Sequence, residues 1–206
     1  MTARRACSNH LRFLRSWAPS PLCEGALAPT GETLADIVTR EISAETGPVI
    51  ELGPGAGAFT RSLLARGVRE SDLTLVEYGS EFVVNLQMQF PRAHVLWMDA
   101  ARLGNVCLHE DVCVGAVVSS LPLSVMATRK VMSILDGAFG CMRRGGAFYQ
   151  VSHATHCPVP RTILSRLRLK AERMEASAST PPVTVYRITQ HHLEVVHHSK
   201  PEVQNI

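Results

Sequence analysis

The sequence predicts a single α/β domain with helices on both faces of a mostly parallel sheet. Strand-like and helix-period segments alternate after Thr30, which is the pattern of βαβ units. A glycine-rich turn directly follows the first apolar strand, as at the ligand sites of open α/β sheets. The 206 residues are 46% hydrophobic and 19% charged, a composition that predicts one globular domain rather than a disordered chain.

The expected elements follow from the spacing of apolar residues. Recurrence every three to four positions indicates a helix, and a short apolar run that ends at turn residues indicates a strand. Helices are expected at 30–43, 58–66, 81–90 and 125–142. Strands are expected at 48–52, 73–76, 95–98, 114–119 and 147–151, which gives five strands separated by helices.

The last quarter of the chain breaks this alternation, because four prolines interrupt it between positions 158 and 182. Residues 167–176 fit a helix about as well as a strand, whereas 183–188 are typical of a strand. The polar tail from His191 onward is expected to be frayed. We therefore divide the chain into an N-terminal segment at 1–28, a domain at 29–190 and a tail at 191–206.

Composition also bears on localisation. The six cysteines form no C-x-x-C pair and no regular framework, which indicates reduced thiols. No apolar run approaches the roughly 20 residues that cross a bilayer, so we expect a cytoplasmic protein. The paired histidines at 191–192 and 197–198 lack recognisable ligand spacing, and no metal site is predicted.

The N-terminal segment mixes apolar and basic residues. The formal charge of +3 is too small to indicate an acidic partner by itself, but its distribution is uneven. The apolar residues and the arginines of this segment suit a short helix in an anionic lipid interface, which makes peripheral attachment to the inner face of the membrane a further hypothesis. The alternative is a basic tail whose aromatic residues pack on the domain. The residues concerned are Leu11, Phe13, Leu14 and Trp17 among Arg4, Arg5, Arg12 and Arg15.

The turn after the first strand carries the strongest functional signal. It reads Gly53-Pro54-Gly55-Ala56-Gly57 and is preceded by Glu51. A dinucleotide fingerprint has G-x-G-x-x-G spacing and binds pyrophosphate at the helix N-terminus. An acid at this place would repel phosphate but suits the cationic amino group of a methionine moiety. The pattern therefore favours S-adenosylmethionine as cofactor, the alternative being a tight turn with no ligand.

Acids end the next two strands. Glu77 lies about 20 residues beyond the glycines, where it is placed to accept both ribose hydroxyls, and Asp99 is placed near the adenine amino group. Tyr78 and Ala100 directly follow these acids and are further candidate cofactor contacts. The fourth strand ends in the segment 119–123, where the methyl donor would meet its acceptor. In the alternative interpretation, Glu77 and Asp99 are solvated loop acids and residues 119–123 form an ordinary loop at the end of a strand.

These residues make the chain resemble the class I methyltransferases, and more narrowly the bacterial phospholipid N-methyltransferases of the phosphatidylethanolamine type, which are similar to rRNA adenine dimethylases. The resemblance implies a seven-stranded sheet with a C-terminal antiparallel hairpin, and successive methylation of a phospholipid amine at a membrane surface. It also implies that residues near Thr30 help to close over the cofactor. The family resemblance rests on residues 13–17, 25–30, 51–60, 119–123, 150–161, 181–182 and 185–187.

Three departures from the family pattern lie mainly on the acceptor side. His153-Ala154-Thr155 stands where a Tyr-Gly-Pro run is expected, and Met98 replaces a glycine before Asp99. Residues 177–180 also lack the usual aromatic residue and asparagine. The substrate is therefore less narrowly indicated than the cofactor.

The chemistry needs few catalytic groups. Methyl transfer from a sulfonium is an in-line displacement that requires no metal, so the enzyme mainly holds the nucleophile close and aligned. A cationic lipid amine must first lose a proton. Candidate acceptors are His153, Tyr149 and the carbonyls from Ser119 to Leu121. The alternatives are a loop histidine without a catalytic role and a tyrosine that only packs.

Three other functions stay open. An rRNA adenine methyltransferase typically presents an aromatic side chain that stacks on a flipped base, whereas residues 120–123 read Ser-Leu-Pro-Leu. This difference counts against nucleic acid. The others are a small-molecule methyltransferase and a protein that binds the cofactor without turnover.

Overall fold

The computed structural model describes residues 33–106, 113–153, 156–177 and 183–191. The N-terminal segment 1–28, Thr30, residues 154–155 and the tail beyond His191 lie outside the described residues. The hypotheses that concern them, including the membrane-surface helix, stay predictions.

The described residues form helices and strands in alternation. The helices are α1 (Leu34–Thr39), α2 (Ala58–Ala65), α3 (Ser80–Gln89), α4 (Thr128–Cys141) and α5 (Arg161–Arg166). The strands are β1 (Val49–Leu52), β2 (Leu73–Glu77), β3 (His94–Trp97), β4 (Val114–Ser119), β5 (Met142–Ser152), β6 (Leu169–Ser177) and β7 (Val183–Gln190).

All of these strands belong to one seven-stranded sheet with the order β3-β2-β1-β4-β5-β7-β6. Strands β1 to β5 run parallel, while β7 is antiparallel to β5 and to β6. The expected mostly parallel sheet with a C-terminal antiparallel hairpin is confirmed. From β1 the chain continues outwards to β2 and β3 on one side of the sheet, and then crosses back to β4 on the other side of β1. Such a reversal opens a crevice at the carboxyl ends of the strands.

Helices cover both faces of the sheet. Alternate residues of each strand point to opposite faces, so adjacent residues of β4 enter different cores. Val118 belongs to the cluster beneath α1, α2 and α3, and Val117 belongs to the cluster beneath α4 and α5. All four residues of β1 are buried, as expected for a central strand covered on both sides.

Helix α1 begins with a capping box. The Thr33 hydroxyl accepts from the Asp36 backbone N–H, and the Asp36 side chain accepts from the Thr33 backbone N–H. The helix therefore starts at Leu34, within the expected range of 30–43. None of the described helices is long and apolar enough to cross a membrane.

The structure differs from the sequence expectations on either side of α4. Residues 123–125 form a 3₁₀ turn, so α4 begins at Thr128 rather than near Val125. Strand β5 then begins at Met142, five residues before the expected start, because a register shift in its pairing with β4 accommodates Gly145 at a φ of 80°.

The region after β5 also differs. Helix α5 was not expected, and β6 resolves the ambiguous segment 167–176 as a strand. A second register shift lies between Arg173 and Glu175 of β6. It breaks the two-residue alternation that would have identified this strand from the sequence.

Candidate functional site

The glycine turn after β1 has a backbone that favours glycine at three positions. Gly53, Gly55 and Gly57 have φ of 74°, 54° and 83°, in the left-handed region that penalises a Cβ. The N–H of Gly57 donates to the carbonyl of Pro54 at 2.8 Å and closes the turn. A Cβ added at Gly55 would meet no described atom within 4 Å, so the centre of the turn is open to a ligand.

Glu77, at the end of β2, binds the glycine turn. Its Oε2 accepts from the N–H of Gly55 at 3.1 Å. Its Oε1 accepts from the backbone N–H groups of Tyr78 at 2.8 Å and Gly79 at 2.7 Å. A carboxylate has about four acceptor directions. Three are used within the protein, so a ribose would find one free direction and compete for the others.

Glu51 lies in β1 directly below the turn and is 1% exposed. Its Oε2 accepts from the Thr60 hydroxyl at 2.6 Å, while its Oε1 has no hydrogen-bond partner among the described residues. Burial raises the pKa of Glu51 to about 7; the hydrogen bond from Thr60 opposes this shift, and the charge of Glu77 adds to it. An unpartnered buried carboxyl oxygen is costly, and a ligand cation nearby would offset that cost.

Asp99 follows β3 and is engaged within the protein. Its Oδ2 accepts from Lys130 Nζ at 2.7 Å, and its Oδ1 accepts from the N–H of Ala101 at 3.0 Å, which caps a 3₁₀ helix. Burial alone would raise the pKa of Asp99, but the hydrogen bond from Lys130 and the contact with Ala101 lower it overall. The sequence analysis missed Lys130, which lies on α4 and carries no local signal of this pairing. Ala100, which directly follows Asp99, is buried.

Two exposed aromatic residues lie at the ends of β2 and β3. Tyr78 is 63% exposed and Trp97 is 67% exposed. The indole N–H of Trp97 donates to the carbonyl of Tyr78 at 3.1 Å. The structure thus places Tyr78 beside Glu77 with its ring open to solvent.

The loop after β4 packs against the glycine turn. The Ser120 hydroxyl donates to the carbonyl of Gly53 at 2.6 Å, and the N–H of Leu121 donates to the buried Ser119 Oγ at 3.3 Å. The carbonyl of Leu121 accepts from Gln150 Nε2 at 2.8 Å and from the N–H of Leu123 at 2.8 Å. Both of its lone pairs are therefore used, which leaves little capacity to take a substrate proton.

Gln150 is a site residue that the sequence analysis did not single out. It is fully buried at the end of β5 and aligned with Ser119 of β4. Its Nε2 also donates to the carbonyl of Val151 at 2.5 Å. The family resemblance included this position, but no local sequence pattern indicated that the Gln150 side chain forms a hydrogen bond between β5 and the loop after β4.

His153 lies at a cavity of about 200 Å³ between the ends of β4 and β5. His153 is exposed. The structure therefore brings His153 next to the loop that follows β4. The cavity is lined by Pro122, Leu123, Ser124, Val125, Val151, Ser152, His153 and Pro158.

Tyr149 does not reach this cavity. It is buried in the cluster beneath α1, and its hydroxyl donates to Glu41 Oε2 at 3.0 Å. Burial, together with the charge of Glu41 and this hydrogen bond, raises the pKa of Tyr149 to about 12. Tyr149 therefore keeps its proton at neutral pH, and its contacts agree with the packing alternative rather than with proton acceptance.

Comparison with solved structures relates this arrangement to known proteins. A TehB-like SAM-dependent methyltransferase from Corynebacterium glutamicum has a TM-score of 0.61 at 12% identity, over 89% of this chain and 99% of that chain. The N-methyltransferase NodS from Bradyrhizobium japonicum, in complex with S-adenosyl-L-homocysteine, has a TM-score of 0.55 at 15% identity, over 77% and 86%. The 23S rRNA methyltransferase ErmE has a TM-score of 0.53 at 17% identity, over 76% and 66%. No protein-family model matches the chain, and no curated protein does. The chain thus has the Rossmann-like fold of the class I SAM-dependent methyltransferases.

Proposed function

We propose that the chain is an enzyme that binds S-adenosylmethionine at the carboxyl ends of β1 to β4 and transfers its methyl group to an amine. One observation carries the proposal. Three glycines in the left-handed region lie between two buried acids, Glu51 and Glu77, where the strand order reverses. This arrangement combines an open backbone with two acidic side chains, which suits a cationic nucleoside and opposes a pyrophosphate.

The residues present fit the chemical groups of this cofactor. One oxygen of Glu51 has no hydrogen-bond partner among the described residues, and this side chain suits the ammonium group of the methionine moiety, directly or through water. Glu77 suits a ribose hydroxyl, and Asp99 lies at the strand end beyond it, where the adenine would lie. Thr30 stays a predicted contact outside the described residues. When bound, the cofactor supplies a methyl group already activated on sulfur.

The chain's own part in the reaction is to align an acceptor and remove a proton. We place the acceptor amine in the cavity beside His153, because the cavity lies next to the β4 loop that packs on Gly53. His153 takes a proton from the ammonium form of the acceptor, which frees the nitrogen lone pair. The bound cofactor would supply the methyl group to that lone pair by in-line displacement from sulfur, and the chain's part is to hold the amine nitrogen in line with it.

For the acceptor we propose a phospholipid amine of the phosphatidylethanolamine type at a membrane surface. The support is the resemblance described above together with the basic, apolar N-terminal segment. Methylation of an RNA adenine is the chief alternative. Leu123, at the position where an aromatic residue would stack on a base, is 2% exposed and lies in the core, which counts against it.

The test has two steps. Calorimetry first measures binding of S-adenosylhomocysteine, and the proposal fails if the folded protein takes up neither this compound nor S-adenosylmethionine. Methyl-labelled cofactor is then incubated with separate lipid, RNA and metabolite fractions. Label in phosphatidylethanolamine supports the lipid assignment, and label in another fraction replaces it. Binding with label in no fraction contradicts turnover and leaves a binding protein.

Membrane attachment has its own measurement. We expect the protein to sediment with anionic liposomes and a Phe13→Ser, Trp17→Ser double variant to sediment less. Equal sedimentation of the two proteins would refute anchoring by the N-terminal segment.

A further inference from the structure

We propose that ligand uptake at this site releases a proton from Glu51, whose carboxyl group is neutral in the free protein at mildly acidic pH and becomes charged when the ammonium group of the ligand arrives. The inference rests on the proposed function and deepens it. It assigns to Glu51 a change of charge state during binding, and so makes the affinity of the site depend on pH.

The position of Glu51 in the sheet supports a neutral free state. Its neighbours on the adjacent strands, Leu75 of β2 and Val118 of β4, are apolar and fully buried. The carboxyl group is closed off from solvent; its Oε2 accepts from Thr60 on α2, and its Oε1 has no hydrogen-bond partner among the described residues. A carboxylate with one unpartnered oxygen in such surroundings is disfavoured relative to the neutral acid.

The charged groups around Glu51 do not reverse this preference. Glu77, at the end of β2, is negative and opposes a second negative charge nearby. Arg61 on α2 acts in the other direction but contributes less, and its guanidinium group donates to the carbonyl of Ala56 and to Gln89. The neighbouring residue of β4 carries no charge. The raised pKa of Glu51, about 7, agrees with this balance.

An ammonium group near the glycine turn changes the balance. Its attraction favours the ionised carboxylate, so Glu51 loses its proton as the ligand binds. By linkage, a ligand that lowers the pKa of a group binds more tightly where that group is already ionised. The expected affinity for S-adenosylhomocysteine therefore rises about tenfold between pH 6 and pH 8.

The proton count distinguishes this mechanism from simple binding. Titration calorimetry is performed with S-adenosylhomocysteine at pH 6.0 to 7.5 in buffers of different ionisation enthalpy. Near pH 6 the wild-type protein should release close to one proton per ligand, and near pH 7 about half a proton. As a ligand control, 5′-methylthioadenosine lacks the amino-acid end and should bind without release.

Two variants complete the test. Glu51→Gln keeps the shape and an oxygen for Thr60 but cannot titrate, so it should bind without release and with an affinity that is flat in pH. Glu81→Gln removes an exposed acid on α3 and should release the proton as the wild-type protein does. Should Glu51→Gln not fold, the comparison of the two ligands on the wild-type protein decides alone.

The outcomes separate the two proposals. Binding without release, or equal release by Glu51→Gln, overturns the coupling and leaves the proposed function intact. Failure of the wild-type protein to bind either ligand overturns the proposed function and the coupling with it.

Discussion

The backbone N–H of Gly55 donates to Oε2 of Glu77 over 3.1 Å, so a single buried carboxylate joins the turn after β1 to the end of β2. Gly55 lies in the turn that follows β1 and Glu77 is the last residue of the adjacent parallel strand β2, 22 positions further along the chain. The shape of the glycine turn therefore depends on an acid from another element.

Replacing this carboxylate should weaken both folding and binding. In Glu77→Gln an amide N–H₂ takes the place of one oxygen and faces a backbone donor. We expect the free energy of unfolding to fall by about 1–3 kcal/mol and the affinity for S-adenosylhomocysteine to fall at least about tenfold. Denaturant unfolding and calorimetry measure the two effects. Glu81→Gln, which changes an exposed acid, is the control, and unchanged affinity in Glu77→Gln would remove this acid from the site.

The close contact between Gly104 and Gly137 should make α4 intolerant of a larger side chain at position 137. A Cβ on Gly137 would lie 2.6 Å from the backbone nitrogen of Gly104, whereas one on Gly140 of the same helix would meet no described atom within 4 Å. Gly137→Ala should lower the free energy of unfolding by about 1–3 kcal/mol through overpacking. Gly140→Ala should raise it by up to about 1 kcal/mol, because alanine favours a helix. Urea denaturation compares them, and equal stability would contradict the close contact.

The stability of the free protein should depend on pH through Glu51. The pKa of Glu51 rises from 4.5 to about 7 on folding, so the folded state binds more protons than the unfolded state between these values. Stability from this group is therefore present below about pH 4.5 and is lost as pH rises through 7, with a total on the order of 3 kcal/mol. Glu51→Gln should remove this dependence and be more stable than the wild-type protein at pH 8. Melting curves from pH 5 to 8 provide the measurement, and parallel curves would refute it.

Tyr149 and His153 should respond differently to substitution. Tyr149→Phe loses the hydrogen bond to Glu41 and should cost about 1 kcal/mol of stability, while the rate of methyl transfer stays unchanged. His153→Ala should leave cofactor affinity unchanged and lower the rate by about 10²-fold or more. Single-turnover methylation and thermal unfolding separate the two residues. A full rate in His153→Ala would assign proton removal to another group.

The parallel part of the fold could be predicted because each of its strands has a recognisable pattern within a short stretch of the sequence. Strand β4 lies at 114–119, as expected, and β1, β2 and β3 agree within one residue at each end. Each is a short apolar run next to a turn, which is a local pattern. Helix α5 was missed because six residues with one buried side chain, Ile163, give no periodicity.

Contacts within the site are less accessible to such reasoning. The glycines and acids were identifiable because their spacing matches a known kind of turn. The bonds from Thr60 to Glu51 and from Lys130 to Asp99 depend on how the helices pack, and neither has a sequence pattern. Tyr149 shows that residue type alone can mislead. A tyrosine hydroxyl suits proton transfer, but the position of Tyr149 in β5 directs its hydroxyl towards Glu41.

Strand β6 forms one edge of the sheet within the described residues, and it carries exposed charged side chains. Lys170, Glu172 and Arg173 are exposed along it, and Lys170 is paired with Glu172. An uncovered edge strand offers unpaired backbone groups to another polypeptide, and charged side chains make that addition unfavourable. The opposite edge, β3, is only four residues long, against nine in β6. The longer edge thus carries the charges that oppose aggregation by strand addition, while the shorter one offers little template for it.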